Sequence, residues 1–120
     1  MWIVYDDAKI EDNLNRLQAA LDESGGDQVE IACAGLDVVA TLLRKNADYG
    51  CAVFNEAVLA PEQSSDTLIR VRMSDKIARL NNLFKSGNGE VSESIEDTML
   101  DLAGYAILWV TLRRKQNGSK

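Results

Sequence analysis

Glu93, Asp97 and Asp101 recur at every fourth position of one segment, ESIEDTMLDLAGY. On a helix they stack one turn apart, where each like-charged i, i+4 pair costs about a few tenths of a kcal/mol. Water, a basic partner or a metal ion would offset that cost. Acids at this spacing on an inward-facing helix can supply oxygen ligands to Mg²⁺, which takes a few carboxylates and keeps waters for phosphate groups. Acids in the first turn of a helix are also favoured by the macrodipole alone. That plainer reading covers Glu93 and Glu96 better than Asp101, which lies two turns in.

A second set is cationic. Arg72, Lys76 and Arg79, with Asp75 and Asn82, fall along one flank of a helical stripe, and Arg72 and Lys76 are one turn apart. Guanidinium and ammonium groups at this spacing can both reach one anion, phosphate above all. The alternative is an exposed charged flank in which Asp75 and Arg79 form an ordinary i, i+4 pair of little worth. A third set is KNADYG. Lys45, Asn46 and Gly50 suit the end of a helix and a turn, whereas Asp48 and Tyr49 are left over as a metal or ribose ligand and a stacking surface for a base. Cys51 has no histidine to activate it, which disfavours a nucleophilic role.

These residues need elements to carry them. The opening MWIVYD is apolar and β-prone and reads as a short extended arm. From Asp7 to Ser24 the residues Ile10, Leu14, Leu17 and Leu21 form one helical stripe that stops at Gly25-Gly26. Asp27 can cap a second helix running to Asn46, with Ile31, Gly35, Val38, Val39 and Leu42 on one face. A long irregular stretch, NADYGCAVFNEAVLAPEQSSD, follows, and loops of this length are often functional. A third helix should start at Ser65 or Asp66 and run to Lys85, with Ile69, Met73, Ile77, Leu80 and Phe84 inward. After Gly87-Asn88-Gly89, Ser94 followed by Asp97 has a capping-box pattern. The fourth helix should reach Arg114, before a frayed tail over residues 115–120.

At roughly 100° per residue, the fourth helix places Ile95, Met99, Leu102, Ala106 and Val110 on a core side. Glu93, Asp97 and Asp101 fall on another side that continues into Tyr105 and Leu108, so that they run into a second buried face rather than a plainly solvated one. The sum is an all-α single domain over residues 1–120, a four-helix bundle with a long loop between helices 2 and 3.

The totals agree with that outline. The chain has 120 residues, with 46% hydrophobic and 27% charged residues and one proline, a soluble globular composition. Thirteen basic residues against nineteen acidic give a net charge of −6, which argues against a duplex nucleic-acid partner. No apolar run approaches the ~18 residues of a membrane span, and the N-terminus lacks a secretory signal pattern. A cytoplasmic location is expected, and Cys33 and Cys51 are expected as free thiols. The absence of histidine removes the commonest general base and most zinc sites. Extra apolar surface beyond the core stripe of the fourth helix, at Leu108 and Trp109, points to a homodimer or a higher homo-oligomer.

Three segments, RKNADYGCAVF, RVRMSDKIARLNNLF and ESIEDTMLDLAGYAIL, resemble in order and spacing the phage and bacterial family called nucleotide modification associated domain 1. Its members carry K-x-x-DYG, R-x-x-DK-x-x-RL and ES-x-x-DT-x-x-DLAxYA motifs. The likeness covers residues 43–110. Lys45, Asp48, Tyr49 and Gly50 fall on the first motif; Arg72, Asp75, Lys76, Arg79 and Leu80 on the second; Glu93, Ser94, Asp97, Thr98, Asp101 and Tyr105 on the third. The resemblance implies a role in nucleotide metabolism or modification and a location in the host cytoplasm for a phage protein.

More distantly the chain is similar to the MazG-type all-α nucleoside triphosphate pyrophosphatases, which bind Mg²⁺ through acids on paired helices. It departs from them in having no E-x-x-E in its second or third helix. On that likeness Asp97 and Asp101 stand for half of a metal site, with Asp48, Asp75 or Asp37 as sources of the rest.

Two functions follow as expectations. One is Mg²⁺-dependent hydrolysis of a nucleotide phosphoanhydride, with Asp97 and Asp101 catalytic, Glu93, Asp97, Asp101 and Asp75 on the metal, and Lys45, Asp48, Tyr49, Arg72, Lys76, Arg79 and Tyr105 on the nucleotide. The other is capture of a nucleotide, for example a signalling one, without turnover. A structural interaction domain, in which Arg72, Lys76 and Arg79 simply neutralise Glu93, Asp97 and Asp101, is the third alternative.

Overall fold

A computed structural model describes residues 7–23, 25–48, 52–86 and 91–118. Four helices carry most of them: α1 (Asp7–Asp22), α2 (Gly26–Asp48), α3 (Ser65–Ser86) and α4 (Val91–Gly118). The fold class is all-α, as the periodicity predicts. No strand occurs among the described residues; the stretch between α2 and α3 holds one 3-10 turn, Ala52–Phe54, and an isolated bridge between Ala57 and Ala60. The expected N-terminal arm lies outside the described residues. None of the described helices is long and apolar enough to cross a membrane.

The chain divides into two compact units, Met1–Asp37 and Val38–Lys120, the division falling inside α2. In the first unit the expected stripe of α1 is only partly covered: Leu17 and Leu21 are half-buried, while Ile10 and Leu14 are exposed. Asp27 lies inside the first turn of α2 rather than capping it, where its carboxylate meets the positive end of the helix dipole. Cys33 is an exposed free thiol; Cys51 is outside the described residues.

The second unit is built on α3 and α4. Ser64 starts α3 because its hydroxyl accepts a hydrogen bond from the Thr67 backbone N–H at 3.1 Å, satisfying a donor that the first turn would leave open. Asp66 adds a carboxylate to that first turn. α4 starts at Val91, three residues before the Ser94 that resembled a cap. Ser94 is therefore inside the helix, and its carbonyl accepts the Thr98 hydroxyl at 2.7 Å. At the other end α4 continues through residues 115–118, where fraying was expected. Lys115 there holds its ammonium 5.3 Å from the centre of the Phe54 ring, a cation–π contact that ties the 3-10 turn to α4.

Three polar contacts fix the pairing of α3 with α4. The Trp109 indole N–H donates to Asp66 Oδ1 at 2.6 Å, the Lys76 ammonium lies 3.0 Å from Asp101 Oδ2, and the Arg79 Nε–H donates to Thr98 Oγ1 at 3.2 Å. As α3 advances from Asp66 to Arg79, its partner on α4 recedes from Trp109 to Thr98, so the two helices are antiparallel. Ile69 and Leu112 fill the interface, with Ile69 wholly buried.

α4 is partly covered on both expected inward faces, with Ile95, Leu102 and Ala106 half-buried. Its most buried positions are Thr98, Gly104 and Leu112, with Asp101, Tyr105 and Leu108 half-buried. Met99 and Val110, expected in the core, are 53% and 49% exposed. On α3, Ile77 and Phe84 are likewise exposed. The helix is apolar on two sides, and the side that faces α3 is the one whose polar members Thr98 and Asp101 find partners there.

Candidate functional site

The last turns of α2 bring Lys45 and Asn46 to the same side as Thr41 and Leu42, because residues three and four apart share a helix face. Opposite them on α4, the same spacing aligns Asp101, Gly104, Tyr105 and Leu108. Between these two faces, closed by Ala52 and Val53 of the 3-10 turn and by Arg72 of α3, lies a cavity of about 300 Å³. Leu42, Val53, Leu100 and Leu108 are the large apolar members of its lining. Lys45, Asn46, Arg72, Asp101 and Tyr105 supply the polar part.

Asp101 organises the charges. Its Oδ2 lies 3.0 Å from Lys76 Nζ and its Oδ1 lies 3.8 Å from Lys45 Nζ. Lys76 is 29% exposed and Asp101 37%, so the closer pair is partly screened from water. Lys45 is more open, at 54%. Arg72 is a further cation in the cavity lining, whose one acid is Asp101. That local excess of positive charge occurs in a chain whose net charge is −6. An apolar wall beside a cluster of cations can take a ligand that is flat and apolar at one end and anionic at the other.

The remaining candidates are distributed as follows. Lys45, Arg72, Asp101 and Tyr105 line the cavity, and Lys76 joins them through Asp101. Arg79 does not line it; its guanidinium is engaged with Thr98 on α4. Asp97 and Asp75 are exposed and outside the lining, as is Asp48 at the end of α2. Tyr49, Gly50 and the side chain of Glu93 lie outside the described residues.

The proposed ligands Asp75, Asp97 and Asp101 are not gathered into one site, and no group of three or more acidic or thiol ligands suited to a metal occurs among the described residues. Asp101 is the one acid among the residues that line the cavity. Asp97 shares a helix face with Asp101 but lies one turn nearer the start of α4, where it is exposed.

Leu42, Val53, Leu100, Gly104 and Leu108 were not singled out as lining by residue type. The one available signal is the helical spacing of Leu42 with Lys45 and of Gly104 and Leu108 with Asp101. Of the structural alternative, one element is present, the Lys76–Asp101 pair; Arg79 meets a hydroxyl instead of an acid.

A family model described as nucleotide modification associated domain 1 matches residues 45–111, more than half of the chain. The match contains Lys45, Arg72, Lys76, Asp101 and Tyr105. Neither a comparison with curated proteins nor one with solved structures gives a match.

Proposed function

The chain belongs to the nucleotide modification associated domain 1 family, and from that premise we propose that the cavity of the second unit binds a nucleotide or nucleotide-derived anion and holds it intact. The observation that carries this reading is the convergence of Lys45 and Lys76 on Asp101 beside an apolar wall. Lys45, Lys76 and Arg72 neutralise phosphate oxygens, the guanidinium by paired hydrogen bonds and the ammoniums as point charges. Leu42, Val53, Leu100 and Leu108 take the face of a base, and Tyr105 and Asn46 offer hydrogen bonds to base or sugar. A cavity of about 300 Å³ is at the small end of ligand pockets, which suits one nucleotide unit.

Capture is favoured over hydrolysis because the one acid in the cavity lining already faces two ammonium groups. In this reading a divalent cation arrives with the ligand's phosphates rather than being held by the chain.

Thermal unfolding of the full chain tests the proposal. Nucleoside mono-, di- and triphosphates should raise the midpoint without added metal, and mass spectrometry should recover them unchanged. A ligand at a hundred times its Kd adds about 2.7 kcal/mol of stability. Stabilisation absent for every phosphate-bearing ligand would remove the binding reading. Product formed only with Mg²⁺ or Mn²⁺ would replace capture with hydrolysis.

A further inference from the structure

Val58 and Leu59 are 93% and 97% exposed. Two adjacent large aliphatic side chains this open are a different case from single exposed apolar residues, which are common. They sit at the tip of a closed turn: the Ala60 N–H donates to the Ala57 carbonyl at 3.2 Å, and the Gln63 N–H donates to the Ala60 carbonyl at 3.0 Å. The backbone is therefore preformed, and docking the tip costs little ordering entropy. Exposed Glu56 and Glu62 flank it.

The same unit carries a second uncovered apolar feature on the side of α4 turned away from the buried face. Met99, Ile107 and Val110 are 53%, 38% and 49% exposed. At helical spacing this stripe runs on into Arg113 and Arg114, both exposed. An apolar tip flanked by acids and an apolar stripe ending in arginines are complementary in both polarity and charge.

We propose that the Val58–Leu59 tip of one copy of this chain seats on the Met99–Val110 stripe of a second copy. Glu56 and Glu62 then lie near Arg113 and Arg114 of that copy. Two such contacts related by a two-fold axis close into a dimer in which each copy gives a tip and receives one. The same two glutamates oppose insertion of the tip into a membrane with anionic headgroups. This contact uses neither Leu108, which lines the cavity, nor Trp109, whose indole is engaged by Asp66.

Sedimentation velocity on the full chain tests this. The wild type should self-associate, and Leu59→Asp and Val110→Asp should each weaken association at least about tenfold with unchanged helical circular dichroism. Val71→Asp, at an exposed position on α3, should leave it unchanged. An equimolar mixture of the Leu59→Asp and Val110→Asp proteins should regain association that neither has alone, since the mixed dimer keeps one intact contact. Should either aspartate variant lose helicity, Leu59→Ser and Val110→Ser carry the same test. A wild type that stays monomeric, association indifferent to Leu59, equal loss with Val71→Asp, or a mixture that does not recover would each overturn the proposal.

Discussion

Lys76 and Asp101 meet across α3 and α4 with 3.0 Å between ammonium and carboxylate, and the free edge of that carboxylate points to Lys45 at 3.8 Å. The pair does two things. It ties the antiparallel helices together beside Thr98, and it brings a second ammonium group, beside that of Lys45, to the one acid of the cavity lining. An exposed ion pair contributes about 0.2 to 1 kcal/mol, so its worth to folding is small. Its effect on an incoming anion is larger, because Asp101 competes with that anion for the same two cations.

Replacement of Asp101 by Asn should therefore tighten binding of phosphate-bearing ligands. The amide keeps an acceptor for Lys76 and removes one negative charge from the cavity. A unit charge about 5 Å from the ligand at an effective dielectric constant of about 40 is worth ~1.7 kcal/mol, somewhat more than tenfold in Kd. Isothermal titration of inorganic phosphate and of a nucleoside monophosphate without metal measures it. Weaker binding by the variant would mean that Asp101 contacts the ligand or a metal, not only the lysines.

Lys45→Met and Lys76→Met should each weaken the same ligands by about tenfold and flatten the dependence of affinity on salt, since each removes a point charge while keeping the aliphatic stem. Arg79→Met should change affinity little, because its guanidinium is turned to Thr98 outside the cavity. A large loss of affinity in the Arg79 variant would move the anion site along α3.

Trp109→Phe should destabilise the second unit without altering ligand affinity. The indole N–H donates to a carboxylate at 2.6 Å, and charged hydrogen bonds contribute about 1.5 to 3 kcal/mol. Urea unfolding followed by circular dichroism gives the loss. Asp66→Asn keeps an acceptor and should cost less than Trp109→Phe; the reverse order would argue that the charge at the start of α3, rather than the hydrogen bond, is what stabilises the pair.

The helices were legible because their signals are local. Apolar residues at three- and four-residue spacing, Gly25-Gly26, Pro61 and the serines before Asp66 mark where helices run and stop. The site was legible as far as it is made of charge: Lys45, Arg72, Lys76, Asp101 and Tyr105 are conspicuous in type and spacing. Its apolar half was not, since Leu42, Val53 and Leu108 look like any core residue until a neighbour is placed beside them. The two inward faces of α4 were legible as well, but not which of them is covered more deeply. Both of its sides carry apolar residues, and the partners offered by Arg79 and Lys76 set Thr98 and Asp101 against α3 while Met99 and Val110 stay exposed. Ser94 and Asp97 imitate a cap, but the chain is already helical from Val91.

Gly104 separates the fold from the site. It is buried on α4 and lines the cavity, and a Cβ there would stand 3.7 Å from Leu42 Cδ1, an ordinary van der Waals contact. A glycine inside a helix costs about 1 kcal/mol relative to alanine, so Gly104→Ala should raise the urea midpoint. The added methyl occupies space against Leu42 that the ligand's apolar end would use, so affinity should fall as stability rises. Gly104→Leu should abolish binding while circular dichroism stays helical. Few substitutions move these quantities in opposite directions, which makes the pair of measurements informative. Nucleotide affinity unchanged in both variants would place the ligand somewhere other than between α2 and α4.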